Sequence, residues 1–139
     1  MIVNPAYIYY GKSGPLPDFN LWDGNIVNVP YTLNQAQWVP ESGVFNINSY
    51  GYVEFTVNAK GYSKFRIEAI ISSFMGGSVE IIFYNKSGSL ISSVSENLTQ
   101  VRTSYTVDIP NEARTAGAKI RIKSPGGANK TIYSATLQE

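Results

Sequence analysis

Histidine and cysteine are both absent from this 139-residue chain, and each absence removes a class of chemistry. Without histidine there is no side chain of the type that most often serves as a general base or a transition-metal ligand. Without cysteine there is no thiol nucleophile, no thiolate metal site and no disulfide. Zero cysteine suits a reducing cytoplasm, a bacterial surface or a virus particle equally, so it decides no compartment. Charge is also scarce: 15% of residues are Asp, Glu, Lys or Arg, against roughly 25% in average soluble domains. The net charge of +1 gives no global field to hold nucleic acid or an anionic membrane. No apolar run approaches the roughly 18 residues of a membrane span. The start, Met1-Ile2-Val3-Asn4-Pro5, lacks a basic region followed by an apolar run, so no signal peptide is expected.

What the chain has is aromatic surface: ten Tyr, six Phe and two Trp. Flat, amphipathic rings bury large areas at low entropy cost, which suits recognition. Hydrophobic content of 43% over this length predicts one domain, residues 1–139, with a real core and no need of staples. Ser, Asn, Thr and Gly supply most of the remaining polarity, as in many extracellular and particle-borne β proteins.

Period-two alternation dominates from residue 44 onward. Val53, Phe55 and Val57 share one face, opposite Tyr52, Glu54 and Thr56. Phe65, Ile67, Ala69 and Ile71 repeat the scheme, as do Val79, Ile81 and Phe83, then Tyr105, Val107 and Ile109, then Ala118, Ile120 and Ile122. This is the pattern of half-buried antiparallel strands. Asn58–Gly61 and Met75–Gly77 mark strand ends, and Asn85-Lys86-Ser87-Gly88 predicts a hairpin between Val79–Tyr84 and Ser89–Val94. A helical turn is expected within 111–116, and a last strand over Thr131–Leu137. The predicted fold is all-β, an antiparallel β-sandwich of about eight strands.

The first third differs. Ile2–Tyr10 reads as an edge strand carrying Pro5. Residues 11–43 hold four of the seven prolines, both tryptophans and only short strand-like runs such as Ile26–Val29. Residues 1–43 are thus expected as a less regular segment packed on the sandwich, since Phe19, Leu21, Trp22 and Trp38 are costly to leave in water.

Catalysis finds little support. Glu54, Glu68 and Glu80 lie on outward faces of three strands and would cluster if those strands were neighbours. The plainer account pairs them with cations such as Lys64 and Arg66 across strands. There is no Gly-x-Ser-x-Gly elbow and no His partner for a serine, so no catalytic residue is assigned and the chain is expected not to be an enzyme. Asp18-Phe19-Asn20-Leu21-Trp22-Asp23-Gly24-Asn25 is oxygen-rich, but its spacing misses a calcium loop and no Glu follows at the twelfth position. Asp23-Gly24 is more simply a turn. No cofactor is expected, and a structural Ca²⁺ at that loop is the minor alternative. Lys119, Arg121 and Lys123 line the outer face of one strand, a row that more often keeps a sheet soluble than touches phosphates. Three Asn-x-Ser/Thr matches are what chance supplies in so Asn/Ser/Thr-rich a chain.

The aromatic residues are the remaining lead. Tyr7, Tyr9, Tyr31, Tyr50, Tyr52, Tyr62, Trp22 and Trp38 are too many for the core alone. Exposed rings beside amides suit sugars, whose C–H faces stack while their hydroxyls seek amides and carboxylates. Trp38 is flanked by Asn34, Gln35 and Gln37, and Trp22 by Asn20 and Asn25. The competing account has both tryptophans plugging the sandwich ends.

From Gly51 to Ile67 the layout of strand, short turn, aromatic and next strand resembles the middle of carbohydrate-binding jelly-roll modules. So does Gly126-Gly127-Ala128-Asn129 ahead of the last strand. It is equally similar to β-sandwich domains of phage tail and baseplate proteins. The resemblance covers about the last ninety residues, is one of architecture rather than motif, and implies a jelly roll with Asn129 touching sugar. The expected function is non-catalytic glycan recognition on a phage particle or secreted bacterial enzyme, hence extracellular or virion. Stacking falls to Trp38 with Tyr31 or Tyr50, and hydrogen bonding to Gln37 and Asn129, with Trp22 a further contact. The expected partners are a glycan or cell-surface polysaccharide and neighbouring domains of the parent particle or enzyme. The alternative is an assembly domain whose exposed aromatics form a protein or oligomer interface.

Overall fold

The computed structural model describes residues 16–139; the expected strand at Ile2–Tyr10 lies outside them. In chain order the strands are β1 (Phe19–Asn20), β2 (Trp22–Asp23), β3 (Ile26–Val27), β4 (Tyr31–Val39), β5 (Val44–Asn58), β6 (Lys64–Ile71), β7 (Gly77–Tyr84), β8 (Leu90–Leu98), β9 (Thr103–Asp108), β10 (Ala116–Lys123) and β11 (Lys130–Gln138). One 3₁₀ turn, Asn111–Ala113, precedes β10. Every strand of six or more residues (β4 to β11) belongs to the sandwich. All pairings are antiparallel, following the path β8-β7-β10-β5-β11-β6-β9, with β4 along β5 and β1 on β11.

The architecture turns on β5. Its first residues, Phe45–Ile47, pair with β11, and its later ones, Tyr52–Asn58, pair with β10. One strand therefore serves two sheets, bending near Tyr50, whose φ is +64°, and Gly51. A Cβ at Gly51 would stand 2.2 Å from the Gln35 carbonyl oxygen, so only glycine admits β4 so close. β4 follows the bend through Gln35, at φ +47°, which alone spans the break opposite the four β5 residues 48–51.

The two sheets close on one core. Val53, Phe55, Phe65, Ile67, Ile81, Phe83, Ile120 and Ile122 are fully or almost fully buried, as alternation predicts. Phe45 and Phe55, from the two halves of β5, meet edge to face at 5.4 Å. Tyr105 is half-buried and packs against this core rather than within it. The Asn85–Gly88 turn joins β7 and β8 as expected, with Asn85 Oδ1 accepting from the Ser87 and Ser89 amides.

Two departures stand out in the N-terminal third. β4 is a nine-residue strand where only short runs were expected. Leu21 and Trp22 enter the core outright, so this segment completes the sandwich.

Candidate functional site

Each expected site residue has a definite place. Trp22 is 4% exposed, stacks on Phe55 and donates its Nε1–H to the Gly43 carbonyl at 2.9 Å. The ring therefore fills the core and its single donor is already used. Trp38 and Tyr31 are half-buried and pack on Phe45, at 4.7 and 5.4 Å between ring centroids. The core thus takes much of the ring surface expected for stacking. Tyr50 is 67% exposed on the β5 bend, its ring over Gly126. Gln37 and Asn129 are exposed. Gln37 belongs to a row, Gln37–Asn46–Thr131–Ile70, on the outer side of the β5–β11–β6 sheet, where Thr131 donates to Asn46 at 2.9 Å.

Beneath the Asn129 loop lies a fully buried lysine. Lys130 Nζ donates to Ser124 Oγ at 2.7 Å and to the Gly126 carbonyl at 2.5 Å, tying down the loop that supports Tyr50. Burial holds its ammonium below the ordinary lysine range.

The catalytic trio disperses. Glu54 receives Arg121 Nε and Nη2 on one oxygen, at 2.9 and 2.8 Å, with Lys119 at 3.9 Å from the other. Glu68 lies on the opposite sheet and accepts from Ser134 and Arg102. Glu80 sits two strands from Glu54, beyond β10. The pairing with cations expected of these carboxylates holds for Glu54, with Arg121 and Lys119, and for Glu68, with Arg102, whereas Lys64 pairs with Asp108 instead. In the oxygen-rich loop, Asp23 accepts from the Asn20 and Asn28 amides, while Asp18 accepts from Gln138. The two carboxylates therefore serve separate amides, and no group of three acidic residues converges among the described residues.

A site the sequence left scattered assembles on the outer face of β4–β5–β10–β7–β8. Register places three rows across it. Asn34, Tyr52, Lys123, Glu80 and Ser95 form one, and Thr32, Glu54, Arg121, Ile82 and Ser93 the next. Thr56, Lys119 and Tyr84 form the third. Rows repeat about 7 Å apart and strands about 4.8 Å apart. Across it runs a diagonal: the Arg121 guanidinium lies 3.9 Å from the Tyr52 ring centroid and 5.2 Å from that of Tyr84. With Nε and Nη2 bound to Glu54, Arg121 cannot swing, and its remaining N–H donors stay available. Tyr52, Glu54 and the three cations were each read as outward from alternation. Tyr84 was not singled out, and nothing in one sequence says that β10 separates β5 from β7.

The fold is that of the carbohydrate-binding-module β-sandwich. A family 29 carbohydrate-binding module solved with cellulohexaose matches with TM-score 0.68 at 13% identity, covering 87% of this chain and 89% of that one. An adhesin domain of Lys-gingipain matches with TM-score 0.60 at 11% identity, over 88% of this chain and all of that one (100%). A family two carbohydrate esterase from Cellvibrio japonicus matches with TM-score 0.57 at 12% identity, over 88% of this chain but only 33% of the enzyme. At such identities the likeness is one of fold. No protein-family model matches the sequence, and no curated protein does.

Proposed function

We propose that this chain is a non-catalytic carbohydrate-recognition domain whose ligand lies across the β4–β5–β10–β7–β8 face. The Tyr52–Arg121–Tyr84 ridge carries the proposal. It combines ring carbon for sugar C–H faces with a guanidinium immobilised by Glu54, so little side-chain entropy is lost on binding. Asn34, Thr32, Ser93, Ser95 and Glu80 offer donors and acceptors on either side. Tyr50, Gln37 and Asn129 lie off this face, at the β5 bend, in the Asn46–Thr131 row and in the loop before β11. The low charge, and the carbohydrate esterase and adhesin domain that share the fold, support an extracellular setting.

Calorimetry against soluble β-glucans, mannans and xylans tests the proposal. Tyr52→Ala and Tyr84→Ala are each expected to weaken binding about tenfold or more, the loss of roughly 1.4 kcal/mol. Unchanged affinity in both variants, with the fold intact, rejects this face. The assembly reading keeps one observation in its favour: Phe74 and Met75, adjacent on the β6–β7 turn, are 86% and 83% exposed. Light scattering that shows an oligomer broken by Phe74→Ser would support it.

A further inference from the structure

Resting on the carbohydrate reading, we infer a second ligand site on the opposite side of the sandwich, a groove that takes one neutral hexose at a chain end. The groove is about 380 Å³, bounded by the Asn20–Gly24 segment, the Ser42–Gly43 turn and the outer side of β6 and β11. That volume is near the lower end of the roughly 300–1,000 Å³ seen for small-ligand sites, which suits one or two sugar rings. Unlike the open lattice of β5, β10 and β7, it has a raised rim where the Asn20–Gly24 segment meets the Ser42–Gly43 turn, and a chain end fits against that rim.

The chemistry inside selects for a hydroxyl-rich, uncharged guest. Arg66 lines the groove; its Nε is shut away from solvent without a hydrogen-bond partner among the described residues, so a guest meets Arg66 only through its remaining donors. Two residues along β6, Glu68 offers the complement. Its carboxylate is held below the usual range, first by the Ser134 hydroxyl and then by Arg102, against the opposing effect of partial burial. Asp23 and Asn20 face the same space, and the Tyr133 ring, with Arg102 4.2 Å above its centroid, forms part of the wall. A guanidinium only donates and a carboxylate only accepts, so the group that satisfies both is a hydroxyl, and neighbouring hydroxyls on one ring satisfy both together. A net anion would meet Glu68 and Asp23, and a net cation would meet Arg66 and Arg102. A neutral sugar meets neither penalty.

Amide chemical shifts of the ¹⁵N-labelled chain, titrated with methyl glycosides of glucose, mannose and galactose and with cellohexaose, test the inference. Shifts at Asn20, Asp23 and Ser134 are expected with at least one monosaccharide. They should persist in the Tyr52→Ala/Tyr84→Ala double variant and weaken tenfold or more in Arg66→Ala. Arg66→Lys, which keeps the charge without the planar donors, and Glu68→Gln, which keeps the shape, should lose binding too. They serve if Arg66→Ala unfolds. Shifts confined to the Tyr52–Tyr84 face would overturn the groove and leave the proposed function standing. Shifts confined to the groove would support it and remove the face. No shift with any sugar would overturn both.

Discussion

Replacing Gly51 with alanine puts the architecture to its hardest test, because the prediction rests on one position where two sheets meet. The new Cβ would stand 2.2 Å from the Gln35 carbonyl oxygen, 2.7 Å from that of Asn34 and 2.8 Å from the Gln35 carbonyl carbon. Ordinary contact between non-bonded heavy atoms is about 3.5 Å, so β4 must retreat by more than about 1 Å. All three atoms are backbone, so no side chain can turn aside. Retreat strains the ladder on both sides of the bulge, at Asn34–Tyr52 and Ala36–Ile47. It also disturbs the Gly51 carbonyl, which accepts the Ser124 amide at 2.8 Å. Overpacking of this kind costs about 1–3 kcal/mol, and each weakened ladder bond up to about 1 kcal/mol more. The expected loss is about 3 kcal/mol. In urea, with a slope of about 2 kcal/mol/M, the midpoint should fall by about 1.5 M. Gly88→Ala is the control: its φ is +85° and nothing lies within 4 Å of the added carbon, so only backbone strain of about 1–2 kcal/mol applies. A Gly51→Ala loss below about 1 kcal/mol, or one no larger than that of Gly88→Ala, would refute the close-approach argument. Because Tyr52 follows directly, sugar affinity should fall with stability.

Trp22→Ala should cost about 3–5 kcal/mol by thermal or urea unfolding, since it opens a cavity against Phe45 and Phe55 and leaves the Gly43 carbonyl without its donor. Half-buried Trp38→Ala should cost distinctly less, and equal losses would contradict the burial. Gln35→Gly should be neutral or gain up to about 1 kcal/mol, because it relieves a φ of +47° at an exposed bulge. The Glu68 carboxyl is lowered in the fold, so its stabilisation is present above the ordinary glutamate range and is lost as pH falls through the folded value. Wild type should therefore lead Glu68→Gln by at most about 1 kcal/mol at neutral pH, the carboxylate being partly in water, and the lead should vanish in acid. Lys130 carries the opposite slope. Its ammonium is lowered, so the unfolded chain holds that proton more tightly, and stability should rise relative to Lys130→Met as pH climbs toward the ordinary lysine range. A flat or falling difference would contradict the burial.

The strands legible in the sequence are those whose alternation runs unbroken: β5 beyond its bend, β6, β7, β9 and β10. β4 was hidden by the break in its register opposite the β5 bend. Tyr31 faces the core from an odd position, and Ala36 and Trp38 from even ones, because the left-handed Gln35 turns the strand over between them. Without that shift, Tyr31 to Val39 would have displayed a clear period of two. The tryptophans were ambiguous because composition does not tell which ring finds a carbonyl at its indole nitrogen; Trp22 found Gly43. Tyr52, Glu54 and the Lys119–Lys123 row were placed outward correctly by alternation. Their union was out of reach, because neighbouring strands here are mostly not consecutive in the chain.

That non-consecutive order also bears on how such a surface is built. Tyr52, Arg121 and Tyr84 come from strands 5, 10 and 7, so the ridge exists only once β10 has inserted between its neighbours. Loop-borne residues could have offered rings and amides at less topological cost, and the Tyr50–Asn129 corner is such an arrangement. The difference lies in rigidity. Each ridge residue is flanked by buried neighbours, Val53, Ile120, Ile122 and Phe83, that lock its backbone into the core. Glu54 then fixes the one guanidinium that would otherwise move. A flexible arginine pays on the order of 1–2 kcal/mol of rotamer entropy on binding, and this one has paid it on folding. A weak ligand such as a sugar, which offers hydroxyls already satisfied by water, gains most from a surface whose ordering cost is already met.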